Sequence, residues 1–355
     1  MSKESIRERR KKDRLEQRKR TLLATCAVAI VLLVIVVTFE SNNNKKDPKI
    51  IESTSATENT ANIGTETEIQ DLEYVPVGDV NFKNEFEAHE TDETITPSSD
   101  DVVSEHSILI DETTDEIMVC KDAYAKVSPA SMTKIMTVLV AAEHLDSMDR
   151  LDDDFTMTLE YTDYAYVNDC STAGFLDGEK IKVKDLFYGT ILPSGGEAAA
   201  ALAAYTAGSQ EEFAKMMNEK LDELGLSDTA HFTNCIGIYD ENHYCSVYDM
   251  AMIIKAAMEN DFVREVMSAH TYVTSSTKEH PDGITLSNLF LRRIEDHIEG
   301  GVVMSAKTGY VVQSGNCAAS YFVSESGIPY ICVTANSTSG WRCIYDHVAL
   351  YKMTK

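Results

Sequence analysis

The sequence is short of positive charge. It has 32 Lys and Arg against 58 Asp and Glu in 355 residues, for a formal net charge of −26. Residues 1–20 hold ten Lys and Arg and four acids, a charge of +6, so the remainder carries −32. Because nucleic-acid binding depends on neutralising phosphates with basic side chains, we exclude nucleic acid as a partner.

Motifs for metals and redox chemistry are missing as well. The eight cysteines contain no C-x-x-C pair, and the nine histidines contain no H-E-x-x-H. Those spacings are typical of thioredoxin-type and zinc sites, so we expect neither a metal nor a cofactor.

One long apolar run is present at residues 21–39, TLLATCAVAIVLLVIVVTF, without a charged side chain. Its length just spans a bilayer core. It lacks the polar face of a core helix and the small-residue cleavage site of a signal peptide. The basic tail, residues 1–20, precedes it, and the positive-inside rule places such a tail in the cytoplasm. We therefore expect a single-pass transmembrane helix in the cell membrane, with residues 40–355 extracellular.

The rest of the chain divides into two parts. Residues 40–103 are acidic and rich in Thr, Glu and Asn, a composition that predicts a disordered linker. Residues 104–355 begin with two short strand patterns, continue with a block of helical patterns and return to strands before a last helix. This order predicts a discontinuous α/β domain with a cleft where the helical block meets the sheet.

The first chemical motif is SMTK at residues 131–134. On a helix, residues three apart share a face, so the Ser131 hydroxyl and the Lys134 amine can meet. Serine is a weak nucleophile without an adjacent base, and a lysine whose pKa is lowered by burial can be that base. Taken alone, the spacing also occurs by chance on solvent-exposed helices.

Two further motifs follow along the chain. KTG at residues 307–309 falls in a predicted strand, where Lys307 and Gly309 share a face. A cation beside a missing side chain leaves a slot that a substrate carboxylate can enter. SGG at residues 194–196 precedes an Ala-rich helix and by itself is typical of a loop that leads into a helix.

The three motifs together resemble a known family. Serine enzymes built on S-x-x-K, S-x-N and K-T-G are β-lactamases and penicillin-binding proteins. The segments SPASMTKIMT, DLFYGTILPSGGEAAAALA, HFTN and KTGYVVQSGNC resemble the D-alanyl-D-alanine carboxypeptidases, the low-molecular-weight penicillin-binding proteins. The resemblance covers about residues 104–350. It implies a serine β-lactamase-like fold, in which helices flank an antiparallel sheet and a mainly helical subdomain is inserted.

The resemblance also implies catalytic roles. Ser131 matches the serine that is acylated, and Lys134 matches the base that deprotonates it. Ser194 matches the hydroxyl of the second motif, which relays protons. The family's substrate is a peptidoglycan stem peptide ending in D-Ala-D-Ala, and β-lactams are its covalent inhibitors.

Substrate-binding roles are implied for the third motif. Lys307 and Thr308 match the residues that hold the terminal carboxylate of the substrate, beside Gly309. The backbone N–H groups of Ser131 and Tyr310 match the oxyanion hole.

The second motif departs from the family at Gly196, where an asparagine is usual. That asparagine amide holds the lysine and the substrate, so its loss keeps a catalytically impaired cell-wall peptide-sensing module open as an alternative. A β-lactamase-like hydrolase, which needs a glutamate placed to activate water, is the other alternative.

A disulfide is expected as well. Cys235 and Cys245 flank the short segment NCIGIYDENHYC. Disulfides persist outside the cytoplasm, so we expect these two residues to pair and to close the loop between them.

Overall fold

The computed structural model of the chain describes residues 86–354. The predicted cytoplasmic tail and the predicted transmembrane helix lie outside the described residues, as does the part of the predicted linker before residue 86. Within 86–354, none of the helices combines the length and the apolar character needed to cross a membrane.

Within residues 86–354, ten strands build one large sheet and two small ones. The large sheet has the order β1-β3-β2-β10-β9-β8, and all its neighbours run antiparallel except β1 and β3, which are parallel. The antiparallel sheet expected from the sequence is therefore confirmed for five of the six strands. The strands are β1 (His89–Ile95), β2 (His106–Asp111), β3 (Glu116–Lys121), β4 (Asp154–Thr156), β5 (Lys180–Lys182), β6 (Thr271–Val273), β7 (Thr285–Ser287), β8 (Gly301–Val311), β9 (Gly315–Ser324) and β10 (Pro329–Ser337).

Strand β1 corrects the predicted linker, residues 40–103. It lies inside that segment but pairs with β3 at the edge of the sheet. Its sequence, HETDETI, buries no residue fully, so its composition is that of a solvated segment. Backbone pairing and a hydrogen bond from Thr94 Oγ1 to the Ile117 carbonyl oxygen, 2.6 Å, hold it in place. An edge strand can be polar because both its faces meet water.

Nine α-helices accompany the sheets in the described chain. Most of them lie between β3 and β8, which confirms the inserted helical block. The helices are α1 (Thr133–Glu143), α2 (Leu159–Val167), α3 (Val183–Ile191), α4 (Gly196–Ala207), α5 (Gln210–Glu223), α6 (Val247–Glu259), α7 (Asp261–Ser268), α8 (Leu289–Ile294) and α9 (Gly340–Tyr351).

The large sheet is buried on both faces, which explains the unbroken apolar run in β2. Ile108 and Ile110 belong to the core on one face, which includes α1 and α6. Leu109 points to the other face, where it joins the core formed with α8 and α9. A strand covered on both sides reads as a continuous apolar run instead of an alternating one.

The expected pairing of Cys235 with Cys245 is wrong. All seven cysteines of the described chain are free thiols, and these two are fully buried. The Cys235 thiol faces the Ala199 carbonyl and the Gln210 side chain, at 3.7 and 3.6 Å. Cys245 instead pairs its backbone with Val127. Short separation in sequence brings two residues near each other, but side-chain direction is decided by the packing around each.

Candidate active site

Ser131 lies in a 3₁₀ turn, Ala130–Met132, that leads directly into α1. The helix opens here without a side-chain cap, and the Ser128 hydroxyl is buried without a hydrogen-bond partner. The turn lies against β8 at Gly309. A side chain there would place its Cβ 3.0 Å from both the Ala130 Cβ and the Pro129 carbonyl oxygen. The glycine of KTG therefore lets the serine turn approach the strand closely.

Lys134 occupies the first turn of α1 and is only 1% exposed. Its Nζ lies 2.9 Å from the Ser131 Oγ and 2.8 Å from the Ile236 carbonyl oxygen. Burial lowers the pKa of Lys134 to about 8, because the charged form loses its hydration. A substantial fraction of this amine is therefore neutral near physiological pH, and a neutral amine can accept the serine proton.

The carbonyl that holds Lys134 belongs to a loop organised by Asn234. The Asn234 Oδ1 accepts hydrogen bonds from the backbone N–H groups of Ile236, Gly237 and Ile238, at 2.8 to 3.1 Å. These bonds fix the loop whose Ile236 carbonyl oxygen faces Lys134. The sequence analysis included this asparagine in the HFTN segment but assigned it no role. The tendency of asparagine to bond backbone groups just after it was the available signal.

Ser194 and Lys307 form the second contact between a serine and a lysine. The Lys307 Nζ donates to the Ser194 Oγ at 2.8 Å and to the Thr308 carbonyl oxygen at 2.7 Å. Ser194 has a φ of 63°, a left-handed conformation that is uncommon for a residue with a side chain and often marks functional sites. Lys307 is 2% exposed. Its burial lowers its pKa well below the usual range, and the neighbouring charge of Lys134 acts in the same direction.

A cleft of about 600 Å³ unites the three motifs. Its lining includes Ser131 and Ser194 but neither lysine, so the two amines lie beneath the wall and reach the cleft through their serines. Residues 308–310 complete the wall on the strand side. The assignment of backbone N–H groups to an oxyanion hole stays a prediction.

Strand alternation separates Thr308 from Lys307. Thr308 is two residues from Ala306, which packs in the core beside α8 and α9, so it shares that face of β8. Lys307 points to the opposite side, toward the helical block. Thr308 is exposed, as is Tyr310, whose exposure is 61%. The polar edge of the cleft on this side thus consists of one buried amine and one accessible hydroxyl.

Arg293 adds a cation that sequence reasoning missed. It follows the first turn of α8 and lines the cleft on the side of Thr308. Its guanidinium stacks on the ring of Trp341, 5.0 Å from the ring centroid. Both residues are accessible, and Trp341 is 46% exposed. In so acidic a chain, an accessible arginine in the cleft favours a ligand that carries a carboxylate.

Gly196 begins α4 and does not line the cleft. A Cβ on Gly196 would lie 2.7 Å from the Cys170 Cβ, 3.2 Å from the Cys170 Sγ and 3.4 Å from the Ala165 Cβ. The space for a side chain at this position is therefore already occupied by Cys170, which does line the cleft.

Comparison with known proteins agrees with this geometry. The sequence profile of the D-alanyl-D-alanine carboxypeptidase family matches residues 93–339. The D-alanyl-D-alanine carboxypeptidase DacF of Bacillus subtilis is 31% identical over 215 residues, which cover 59% of this chain and 52% of DacF. DacD of Salmonella typhimurium is 30% identical over 240 residues, covering 66% of this chain and 58% of DacD.

A solved structure shares the fold. The crystal structure of the Streptomyces K15 DD-transpeptidase superposes with a TM-score of 0.65 at 26% sequence identity, covering 73% of this chain and 98% of that one. The chain spans little more than half the length of the two curated relatives. With the profile matching well over half of its residues, this chain belongs to the D-alanyl-D-alanine carboxypeptidase family.

Proposed function

We propose that the chain is a serine-type D-Ala-D-Ala carboxypeptidase that trims peptidoglycan stem peptides. The observation that carries this proposal is the 2.9 Å contact between the Ser131 hydroxyl, which lines the cleft, and the buried amine of Lys134. The names of the curated relatives supply the substrate class. The contacts within the cleft supply the chemistry described next.

Acylation begins at Ser131. Its Oγ attacks the carbonyl carbon of the penultimate D-alanine while neutral Lys134 takes the hydroxyl proton. The bond from that carbon to the nitrogen of the terminal D-alanine then breaks, and the proton held by Lys134 passes to the leaving amine, so that Lys134 is neutral again. We assign the relay of this proton to Ser194, since its hydroxyl lines the same cleft and is bonded to the Lys307 amine.

Deacylation returns the enzyme to its starting state. A water molecule attacks the ester carbon, and Lys134 takes one of its protons. The bond from carbon to Ser131 Oγ breaks, the serine recovers a proton, and the shortened peptide leaves with a new carboxylate. Each group thus ends the cycle in the protonation state in which it began.

Recognition of the terminal carboxylate involves the third motif and Arg293. The Thr308 hydroxyl is accessible at the edge of β8, and the buried Lys307 amine lies just beneath, bonded to the Thr308 carbonyl oxygen. Arg293 lines the same side of the cleft and is anchored on Trp341. A planar guanidinium suits a carboxylate because it donates two parallel hydrogen bonds.

Two assays on residues 86–355 test the proposal. Incubation with a D-Ala-D-Ala peptide should release free D-alanine, and fluorescent penicillin should form a stable adduct. A β-lactamase would lose the label quickly, and a non-catalytic peptide-sensing module would never acquire it. An adduct that transfers its acyl group to an added amine but not to water would indicate a transpeptidase, the activity named for the Streptomyces relative.

We also propose that residues 21–39 anchor the enzyme as a single-pass helix in the cell membrane, with the catalytic domain extracellular. The support is the uncharged run behind a basic tail. Protease added to intact cells stripped of their wall should remove the catalytic domain. Complete protection of the C-terminal region would contradict this topology.

A further inference from the structure

The loop after α2, residues 168–171, approaches the start of α4. The Cys170 backbone N–H donates to the Ala165 carbonyl oxygen at 2.9 Å, which ties the loop to the end of α2. The Gly196 N–H donates to the Ser171 carbonyl oxygen at 2.8 Å, which ties it to the first residue of α4. Cys170 is thus held on both sides by backbone bonds, and its position depends little on its own side chain.

Cys170 and Gly196 are complementary in size. The 2.7 Å separation between the Cys170 Cβ and a Cβ built on Gly196 is shorter than real Cβ contacts allow. Cys170 and Gly196 are 26 positions apart in the sequence. Only one of these two positions can carry a side chain, because both side chains would occupy the same space. In this chain the side chain is the thiol, and it comes from the loop instead of the helix.

The thiol lies where it can affect substrate binding. Cys170 lines the cleft together with Ser131 and Ser194 and is partly exposed. Among the described residues, the thiol has one hydrogen-bond contact, and it is a long one, 3.7 Å from Sγ to the Asn168 carbonyl oxygen. It is close enough to Lys134 for the charges of the two groups to interact. The side chain is therefore accessible from the cleft.

We propose that Cys170 takes the place of the third side chain of the second motif and is a specificity-determining residue of the cleft. This inference rests on the proposed function. The thiol forms the wall beside Lys134 against which the acyl part of the substrate lies. A thiol is a weak donor and a weak acceptor, whereas a carboxamide donates and accepts strongly. The cleft therefore selects its substrate on this side by shape more than by hydrogen bonds.

Exchange of the two side chains tests the inference. Gly196→Asn alone should slow acylation by penicillin roughly 10²-fold, because the new side chain collides with Cys170 and displaces the wall beside the nucleophile. Adding Cys170→Gly frees the space, and the double variant should recover to within roughly tenfold of wild type. Cys120 is the matched control, because it is also partly exposed but lies in β3 and does not line the cleft. Cys120→Ala should not rescue Gly196→Asn.

Two outcomes of the exchange would overturn the inference. One is a Gly196→Asn variant that acylates at the wild-type rate. The other is a folded double variant that is no faster than Gly196→Asn alone. Circular dichroism and thermal melting establish the folded state of each variant before its rate is measured.

Alkylation gives an independent test that needs no substitution at Gly196. Treatment with N-ethylmaleimide should modify Cys170 and block penicillin acylation, while Cys170→Ala should acylate at its own rate whether or not it has been treated. Acylation before treatment should protect Cys170 but not Cys120, as peptide mapping will report. Wild-type enzyme that is alkylated at Cys170 and still acylates at its unmodified rate would contradict the inference.

Failure of the proposed function gives a different result. In that case untreated wild-type protein shows no penicillin adduct at all. The melting temperatures still test the packing of the pair, because Cys170→Gly should then restore the stability lost in Gly196→Asn. A double variant that melts at the same temperature as Gly196→Asn would show that Cys170 and Asn at position 196 do not compete for one space.

Discussion

Among the contacts between a serine and a base in the described chain, two lie on opposite faces of the large sheet. In the cleft, the Ser131 Oγ lies 2.9 Å from Lys134 Nζ. Behind the sheet, the Ser320 Oγ lies 2.7 Å from His347 Nδ1, and the Thr334 Oγ1 lies 3.0 Å from His347 Nε2.

The contact between Ser320 and His347 is the shorter of the two, and histidine is the commoner catalytic base. Yet Ser320 and His347 have no exposed surface. Each ring nitrogen of His347 already has a partner, so neither is available to a substrate. Hydrogen-bond distance alone therefore does not identify a nucleophile. Access to a cleft and a free position beside the hydroxyl separate the proposed catalytic pair, Ser131 and Lys134, from the structural pair, Ser320 and His347.

The largest expected difference is between the two serines. Ser131→Ala should reduce penicillin acylation to background, because the attacking oxygen is lost. Ser320→Ala should acylate at the wild-type rate and lose about 1 kcal/mol of unfolding free energy, since a buried hydrogen-bond partner is removed. Mass spectrometry should place the wild-type adduct on the peptide containing Ser131. An adduct on any other serine would sink the mechanism.

Removal of the proposed base, Lys134, should have the next largest effect on the acylation rate. Lys134→Ala should slow acylation by roughly 10²- to 10⁴-fold, the range expected when a general base is removed. Lys278→Ala, at an exposed position remote from the motifs in sequence, is the matched control and should leave the rate unchanged. Rates are measured by stopped-flow quenching with a fluorescent penicillin. Equal rates for the two variants would exclude Lys134 as the base.

The structural pair should respond to acid through stability. Burial lowers the pKa of His347 to about 4 from its ordinary 6.5. The unfolded chain therefore binds a proton at this histidine at a higher pH than the folded chain does. As the pH falls from 6.5 to 4, this difference lowers the free energy of unfolding by about 3 kcal/mol. His347→Gln cannot titrate, so its unfolding free energy should depend less on pH across this window. Urea unfolding at a series of pH values measures the difference, and parallel curves would contradict it.

The catalytic pair should respond to pH through rate instead. Because burial lowers the pKa of Lys134 to about 8, the fraction of neutral base rises as the pH increases through that value. Acylation of wild-type enzyme should accelerate roughly tenfold between pH 7 and pH 9. Ser320→Ala should give the same profile, because its site lies on the other face of the sheet. A flat profile over this range would show that Lys134 is neutral throughout or is not the base.

Arg293 lines the cleft but belongs to neither serine–base pair, and its substitution should have the smallest effect. Arg293→Ala should raise KM for a D-Ala-D-Ala peptide about fivefold with little change in kcat, the weakening expected for an accessible ion pair. Arg292→Ala is the control, because that neighbour is exposed and bonds to Ser287. A peptide amidated at its C-terminus should bind equally poorly to wild type and Arg293→Ala. If Arg293→Ala weakens binding of the free-acid peptide more than binding of the amidated peptide, Arg293 binds the terminal carboxylate.

Much of the fold was predictable because local signals agreed with it. The sequence patterns of residues 247–259 and 329–337 predict a helix and a strand, and α6 and β10 have these bounds. The segment ITLSNLF, residues 284–290, predicts one strand, but β7 ends at Ser287 and α8 begins at Leu289, since a short apolar helix cannot be told from a buried strand by periodicity. Strand β1 was predicted as linker, because its polar residues suit an exposed edge and an unfolded segment equally well.

The sequence by itself determined that the proposed nucleophile and its proposed base lie together. Ser131 and Lys134 are three apart, so one turn of helix brings them together whatever surrounds them. The order of the three motifs identified the family before any contact was known.

Only the tertiary structure decided how the motifs meet. Ser194 and Lys307 are 113 residues apart, and their contact depends on the packing of the α4 start against β8. The same holds for the Cys170 side chain that fills the space beside Gly196, and for the packing that leaves Ser131 in a cleft and encloses Ser320. In a closely packed protein only one side chain can occupy each such space, and the sequence does not show which one does.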